Sequence, residues 1–233
     1  MHLFHSPDLI GDLIELPEEE AHHAIAVLRL TAGTRIGLLD GQGTRAIATI
    51  ELITKRQCSV RIIERHAAGP ERTARIHLAV APTKQMDRFE WFVEKAVEIG
   101  VDRITPIATE RTERGKLRVD RLHRVAISAM KQSRRLWLPR IDALTDLSDL
   151  LAEPLPPQRL FGWCEGEHRS LMQAYNIQEE VLLLVGPEGD FSTEEASTLR
   201  TAGFQAISLG SARLRTETAA LAACTWMSLA QQG

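Results

Sequence analysis

Val181-Leu182-Leu183-Leu184-Val185-Gly186-Pro187-Glu188-Gly189-Asp190-Phe191-Ser192-Thr193-Glu194-Glu195 is the stretch on which the fold turns. Its first five residues are apolar without a break, as in a parallel strand covered on both faces. Ser192-Thr193-Glu194-Glu195 is a capping box and predicts a helix to about Ala202. A strand, a turn and a capped helix place Gly186-Pro187-Glu188-Gly189 at the carboxyl edge of a sheet, where open α/β sheets bind ligands. The glycines let the backbone approach a ligand closely, and Pro187 stiffens the turn. The turn is neither a GxGxxG loop nor a Walker A loop, since no Gly-Lys-Ser/Thr follows. A plain strand-to-helix connection has the same outline.

The alternation continues on both sides of this stretch. Residues 76–81, 104–108, 159–163 and 206–209 read as strands. Residues 86–99 read as a helix with Met86, Phe89, Val93, Ala96 and Val97 on one side, and Gly100 supplies its stop. Residues 120–136 form a basic amphipathic helix halted before Pro139, and 216–230 a final helix. Such alternation implies an α/β domain with a parallel sheet. A second segment, Leu209-Gly210-Ser211-Ala212-Arg213-Leu214-Arg215-Thr216-Glu217-Thr218-Ala219, runs from a strand end into the last helix. That helix start offers free backbone N–H groups and a cap hydroxyl. Its Arg-Thr-Glu-Thr is either a cap with surface charges or part of a polar site.

The first 66 or so residues read differently. Residues 13–16, 34–40, 45–53 and 57–64 are short strands, with one helix over 18–30 and a turn at Asp40-Gly41-Gln42-Gly43, a small barrel-like pattern. Ala67-Ala68-Gly69-Pro70 reads as a linker, so the expected domains are 1–68 and 72–233.

The net charge of −3 hides an asymmetry. Residues 103–140 hold 11 basic and 3 acidic residues, the footprint of a chain that touches phosphates with one face, or else a solvated helical face. Cys58, Cys164 and Cys224 lie far apart without a CxxC pair, so neither a disulfide framework nor a zinc site is indicated, and a reducing cytoplasm fits. His22-His23 lacks a third metal ligand and reads as a polar helix face. No apolar run approaches the roughly 18 residues of a membrane span, and the N-terminus has no signal-peptide pattern.

Taken together, these segments resemble the RsmE family of 16S ribosomal RNA uridine-N3 methyltransferases, within the SPOUT superfamily. The resemblance covers nearly the whole chain. It is carried by Ala21-His22-His23, Val27-Leu28-Arg29-Leu30, Asp40-Gly41, Lys84, the helix from Phe92 to Val101, Glu110-Arg111, Gln132-Ser133 with Arg135, and Pro139. Its most specific parts are Gly186-Pro187-Glu188-Gly189 with Phe191-Ser192, and Leu209-Gly210 with Leu214-Arg215-Thr216-Glu217-Thr218-Ala219. It implies a PUA-like RNA-binding barrel followed by a SPOUT α/β domain with a deep trefoil knot, an exception to the rule that chains do not knot. It implies a homodimer with S-adenosylmethionine held in the knot, and 16S RNA of the small ribosomal subunit as partner. The cofactor residues so implied are Leu184, Val185, Gly186, Pro187, Glu188, Gly189, Leu209, Gly210, Leu214, Arg215, Thr216, Thr218 and Ala219. Two departures stand out: Asp190 where the family usually has a second glycine, and Ser211-Ala212-Arg213 where it usually has Pro-Arg-Ile.

Methyl transfer from a sulfonium is a direct displacement that needs alignment and exclusion of water, and no metal. Uridine N3 is a weak nucleophile until its proton leaves, so a base or an anion-stabilising cation speeds the reaction. Arg215 is the candidate cation or phosphate clamp. Glu217 is a candidate base, or a first-turn carboxylate favoured by the helix dipole. For RNA, the candidates are Arg29, Lys84, Arg88, Lys95, Arg134 and Arg135 on phosphates, with Gln132 on a base edge or ordering a loop. Lys95 alternatively pairs with Glu98 on the helix surface. Trp137, at the end of the basic helix, is the aromatic placed to stack a base. A non-catalytic ribosome-assembly protein, a SPOUT enzyme acting on transfer RNA and an ordinary doubly wound nucleotide enzyme are the competing readings.

Overall fold

The computed structural model describes residues 1–113 and 115–232. They form two compact units: Met1–Glu71 with Ile127–Leu138, and Arg72–Ala126 with the chain from Pro139 onward.

The first unit is built on β1 (Leu3–His5), β2 (Leu13–Glu15), α1 (Glu18–His22), β3 (Arg35–Leu39), β4 (Thr44–Ile53) and β5 (Cys58–Ala67). The sheet order is β1-β3-β4-β5-β2. Two register shifts in the long β4–β5 pair, at Ile47/Ala48 and Ile50/Leu52, bend it. Alternate residues of the strands, among them Phe4, Ile36, Leu38, Ala46, Ala48, Ile50 and Val60, close over one buried core. The helix expected over 18–30 is shorter. After α1 the chain widens into a π turn, His23–Val27, and Arg29 leaves it with a left-handed φ of 52°. His23 packs edge-on against Phe4, with ring centroids 6.1 Å apart.

The second segment of this unit, Ile127–Leu138, is one that a linear reading assigns to the C-terminal domain. It is stitched to the Asp40–Thr44 turn. Leu138 N donates to Gly41 O and Gly43 N to Leu136 O, both at 2.9 Å. Lys131 Nζ meets the buried Glu20 at 2.5 Å. The Trp137 ring lies where a Cβ on Gly43 would be, and its Nε1 donates to Gly69 O at 3.3 Å. The aromatic expected to stack a base is therefore packed against its own turn.

The second unit contains β6 (Ile76–Val80), α2 (Met86–Ile99), β7 (Arg103–Ala108), the first half of α3 (Val119–Ser133), β8 (Arg140–Ile141), β9 (Thr145–Asp146), α4 (Leu147–Ala152), β10 (Gln158–Gly162), β11 (Arg169–Ser170), α5 (Leu171–Ala174), β12 (Val181–Val185), α6 (Thr193–Thr201), β13 (Gln205–Ser208) and α7 (Thr216–Ala230). Gly100, at φ 99°, stops α2 as expected. The strand order is β11-β13-β10-β12-β6-β7-β8, with β9 also on β7. All of these pairings are parallel. β12 is buried at every residue, as its unbroken apolar run requires, and α7 packs on α2, β6 and β12. Because β13, β10 and β12 are parallel neighbours, their three exit loops emerge at one edge.

Near the other side of the sheet a polar chain is buried. His77 Nε2 is 2.7 Å from the Thr105 hydroxyl, which donates to Asp142 at 2.5 Å. Asp142 also accepts from Arg103 and Arg140, both at 2.6 Å. With the Thr105 hydroxyl donating to Asp142, its oxygen accepts from His77, which places the imidazole hydrogen on Nε2. Burial, reinforced by Arg103, pushes the His77 imidazole down to about 3. The unfolded imidazole takes its proton first as pH falls, so the stability due to neutral His77 is complete above about 6.5 and is lost toward 3. The limiting slope is about 1.4 kcal/mol per pH unit. We predict that His77→Gln lowers the melting temperature at pH 7.5 and flattens its decline between pH 7 and 4.5. Melting curves with the same pH slope in both proteins would contradict this.

Candidate cofactor-binding cleft

The three exit loops enclose a cleft of about 850 Å³ in the second unit, walled by residues 162–168, 185–190 and 207–214 with Arg111, Thr216 and Ala219. One wall follows β12. A Cβ on Gly186 would stand 3.1 Å from the Phe191 ring. That ring is buried and edge-on to Phe161 at 6.0 Å, so only glycine leaves the turn undisturbed. Arg111 Nη1 donates to Gly189 O at 2.7 Å and to Phe191 O at 3.2 Å. The expected capping box is formed: Ser192 Oγ accepts from Glu195 N, and Glu195 Oε2 accepts from Ser192 N at 2.8 Å.

The wall after β13 turns at Gly210, whose φ is 120°. Arg213 Nη2 reaches Glu188 O at 3.4 Å. Thr216 does not cap its own helix. The cap position is Arg215, without a side-chain bond, and the buried Thr216 hydroxyl donates across to Gly186 O at 3.0 Å. The first backbone N–H groups of α7 therefore have no intrahelical acceptor, and they sit at the positive end of the helix dipole.

Of the residues expected to hold a cofactor, Val185, Gly186, Pro187, Glu188, Gly189, Leu209, Gly210, Leu214, Thr216 and Ala219 line the cleft. Leu184 lies one place inside the strand and is fully buried. Thr216 and Ala219 share a helix face, which turns Glu217 and Thr218 away from it. Glu217 is buried and its Oε2 has no hydrogen-bond partner among the described residues, while Arg215 and Thr218 are exposed outside the walls.

Sequence reasoning missed the third wall, 162–168, together with the part played by Asp190. A strand ending near Trp163 is legible in the sequence, but its adjacency to β12 follows only from strand order. Asp190 has a φ of 63°, which gives the physical reason for a glycine at that place and for aspartate as a tolerated substitute. Cys164 lines the cleft, exposed at its surface, and the partial burial of its thiol there, then a hydrogen bond with Asp190, holds that thiol above the usual range. Among the described residues no three His, Cys, Asp or Glu side chains converge as a metal site requires.

The candidate phosphate contacts divide between the units. In the second, Lys84 pairs with Glu113 at 3.0 Å, Lys95 pairs with Glu94 and Glu98, and Arg88 on α2 is half-buried. In the first, Arg135 pairs with Glu71, and Gln132, Arg29 and Arg134 are exposed. Arg29 and Arg134 both hold left-handed backbone, at φ 52° and 58°. Arg134 ends α3 in this way, three residues before the end expected for it.

Residues 70–228 match the family model of an RNA methyltransferase domain, and residues 16–63 that of an RNA methyltransferase PUA domain. The chain is 31% identical to ribosomal RNA small subunit methyltransferase E of Aquifex aeolicus, over 94% of this chain and 95% of that protein. It superposes on the crystal structure of a "probable rRNA-methyltransferase" from Porphyromonas gingivalis with a TM-score of 0.91 and 39% identity, covering 100% of this chain and 99% of that one. The ribosomal RNA small subunit methyltransferase E from Neisseria gonorrhoeae, solved bound to S-adenosyl methionine, has a TM-score of 0.88 and 28% identity, covering 99% and 98%.

The Thr216–Gly186 bond yields a direct test. Thr216→Val keeps the shape and leaves a buried carbonyl unsatisfied, at a cost of about 1–3 kcal/mol. Urea denaturation is expected to show that loss, and Thr216→Ser to restore most of it.

Proposed function

The chain belongs to the RsmE family of RNA methyltransferases, and from that premise we propose that it transfers a methyl group from S-adenosylmethionine to N3 of one uridine in the 16S RNA of the small ribosomal subunit. The observation that carries the reading is the convergence of three neighbouring parallel strand ends on one cleft, walled by both family motifs. The cleft suits the cofactor in size, since small-molecule sites occupy about 300–1,000 Å³. Its walls are largely backbone at Gly186–Gly189 and Leu209–Gly210, and the open N-terminus of α7 adds N–H donors suited to a carboxylate. These segments would hold the cofactor, which supplies an electrophilic methyl group.

The chain's own residues then align and shield. The walls exclude water from the reacting atoms. Arg215, exposed beside the wall residues Leu214 and Thr216, stabilises the uracil anion formed when the N3 proton passes to solvent. Glu217, buried on another face of α7, supports the helix start in this reading. A uracil would have to reach its carboxylate for it to act as the base. Arg29 and Arg134 contact phosphates, with Lys84, Arg88, Lys95, Gln132 and Arg135 in supporting positions.

The finer features follow from the same resemblance. The chain leaves β13 on one side of the sheet order, passes through 209–215, and returns as α7 against α2 and β6. This course supports a deep trefoil knot around the cleft. We take the active form to be a cytoplasmic homodimer. Among the described residues no helix is long and apolar enough to cross a membrane.

The test is incubation with labelled S-adenosylmethionine and small-subunit particles, free 16S RNA or transfer RNA from a strain lacking this gene. Label is expected as 3-methyluridine in small-subunit RNA alone. Cofactor binding without incorporation into any RNA would refute the enzymatic reading, and label in transfer RNA would move the target. Arg215→Ala is expected to lower kcat at least tenfold, by analogy with the loss of one preorganised donor, with an unchanged melting temperature. For RNA binding, Arg29→Ala with Arg134→Ala should reduce the slope of log K against log salt by about 1 for each arginine replaced. An unchanged slope would remove both from the phosphate contacts.

A further inference from the structure

Asp190 carries a Cβ in left-handed backbone, at φ 63°, a conformation strained for most residues and retained where the surroundings fix it. Both oxygens of its carboxylate are used. Oδ1 accepts from its neighbour Phe191 N at 2.8 Å, and Oδ2 accepts from Cys164 N at 3.0 Å. Cys164 lies on the exit loop of β10, Asp190 on the exit loop of β12, and both loops wall the cleft. Beyond Trp163, buried at its base against Phe161, the β10 loop has few other hydrogen bonds among the described residues. Trp163 N donates to Ile207 O at 3.2 Å at its base, and His168 Nε2 is 2.7 Å from Glu165 O within the loop itself. Gly166 at its tip has a φ of 87°. Among the described residues, the hydrogen bonds that tie the tip of this loop to the loop after β12 both end on the Asp190 carboxylate, from Cys164 N and from the Cys164 thiol.

We infer that Asp190 is a positioning residue for cofactor binding: its carboxylate clips the 162–168 wall to the 186–189 wall, so that the cleft is formed before the cofactor arrives. The inference rests on the cofactor reading of the cleft. A preformed wall spares the cofactor the entropy of ordering a loop. Without the clip that ordering becomes part of each binding event, and the loss falls on affinity rather than on the chemical step. A glycine at this place would relieve the strain and forgo the clip.

The chain carries its own reporter. Cys58 and Cys224 are buried and Cys164 is exposed, so a disulfide reagent applied to the folded protein reads the 162–168 wall. Partial burial in the cleft, then the thiol's own hydrogen bond to the Asp190 carboxylate, helps keep this thiol protonated, and thiolate is the reactive form.

The experiment compares the wild-type chain with Asp190→Gly and Asp190→Asn. S-adenosylmethionine binding is followed by calorimetry, kcat and KM by methyl transfer to small-subunit RNA, and Cys164 by its reaction with Ellman's reagent. Asp190→Gly is expected to raise Kd and KM for S-adenosylmethionine by roughly tenfold to 150-fold, the range for removing a hydrogen bond to a charged group. Its kcat should stay within about twofold, its Cys164 should react several times faster, and its melting temperature should not fall. Asp190→Asn keeps an acceptor oxygen and is expected to lie between the two. Unchanged Kd and KM in Asp190→Gly, or a loss of kcat or melting temperature with KM unchanged, would overturn the clip while leaving the cofactor reading intact. A wild-type chain that binds no S-adenosylmethionine would overturn both.

Discussion

The hydrogen bond from the Thr216 hydroxyl to Gly186 O, 3.0 Å long and buried, is the constraint on which the rest of the site depends. It joins two segments 30 residues apart, one leaving β12 and the other entering α7. A threonine at a helix start would ordinarily cap that helix. Here the hydroxyl is spent on the neighbouring loop instead. One bond thereby closes the cleft between two walls and leaves the helix N-terminus open toward it. The conformation of Gly186 under Phe191, the placement of Ala219 one turn along and the outward position of Arg215 all follow from where Thr216 is held.

That bond is available only because the sheet is parallel and ordered as it is. β10 sits between β13 and β12, so the exits of all three strands share one edge. On one face of the sheet, Leu182, Leu184, Phe161 and Ala79 pack with Phe191, Ala196, Leu199 and Phe204 in one buried cluster, and α7 packs on β6 and β12. Phe191 thus serves the core and the turn together. The ring that excludes a side chain at Gly186 is the same ring that anchors α6 against the sheet, and a change in the loop is felt in the packing beneath it.

How much of this could be read beforehand depended on range. Elements fixed by their own periodicity or caps were legible: β12 from its unbroken apolar run, α6 from Ser192 and Glu195, and α2 from its apolar face and Gly100. The two motif loops were legible as a pair because strand ends of a parallel sheet share an edge. Features that depend on strand order or on contacts distant in sequence were not. The 162–168 wall needs β10 beside β12, Trp137 is claimed by Gly43 and Gly69, and Ile127–Leu138 joins the first unit through the Asp40–Thr44 turn. The helix expected over 18–30 failed locally, where a π turn and the left-handed Arg29 replace its second half. No residue type there announces the change, since glycine first follows at Gly33.

The basic block over 103–140 shows why charge along a chain is a weak guide to a phosphate-binding face. Much of it is matched within its own unit. Arg103 and Arg140 hold Asp142, Arg121 holds Glu90, Arg118 and Arg124 share Asp120, Lys131 holds Glu20 and Arg135 holds Glu71. Several of these pairs are exposed and individually weak, so their cations still contribute to the field, but a matched pair presents little net charge to a phosphate. Arg29 and Arg134 differ. Both are exposed, neither has an ion pair among the described residues, and both bear the strain of left-handed backbone where glycine would be easier. The positive surface that matters is then a matter of which cations remain unmatched after folding, which the linear count of charges does not contain.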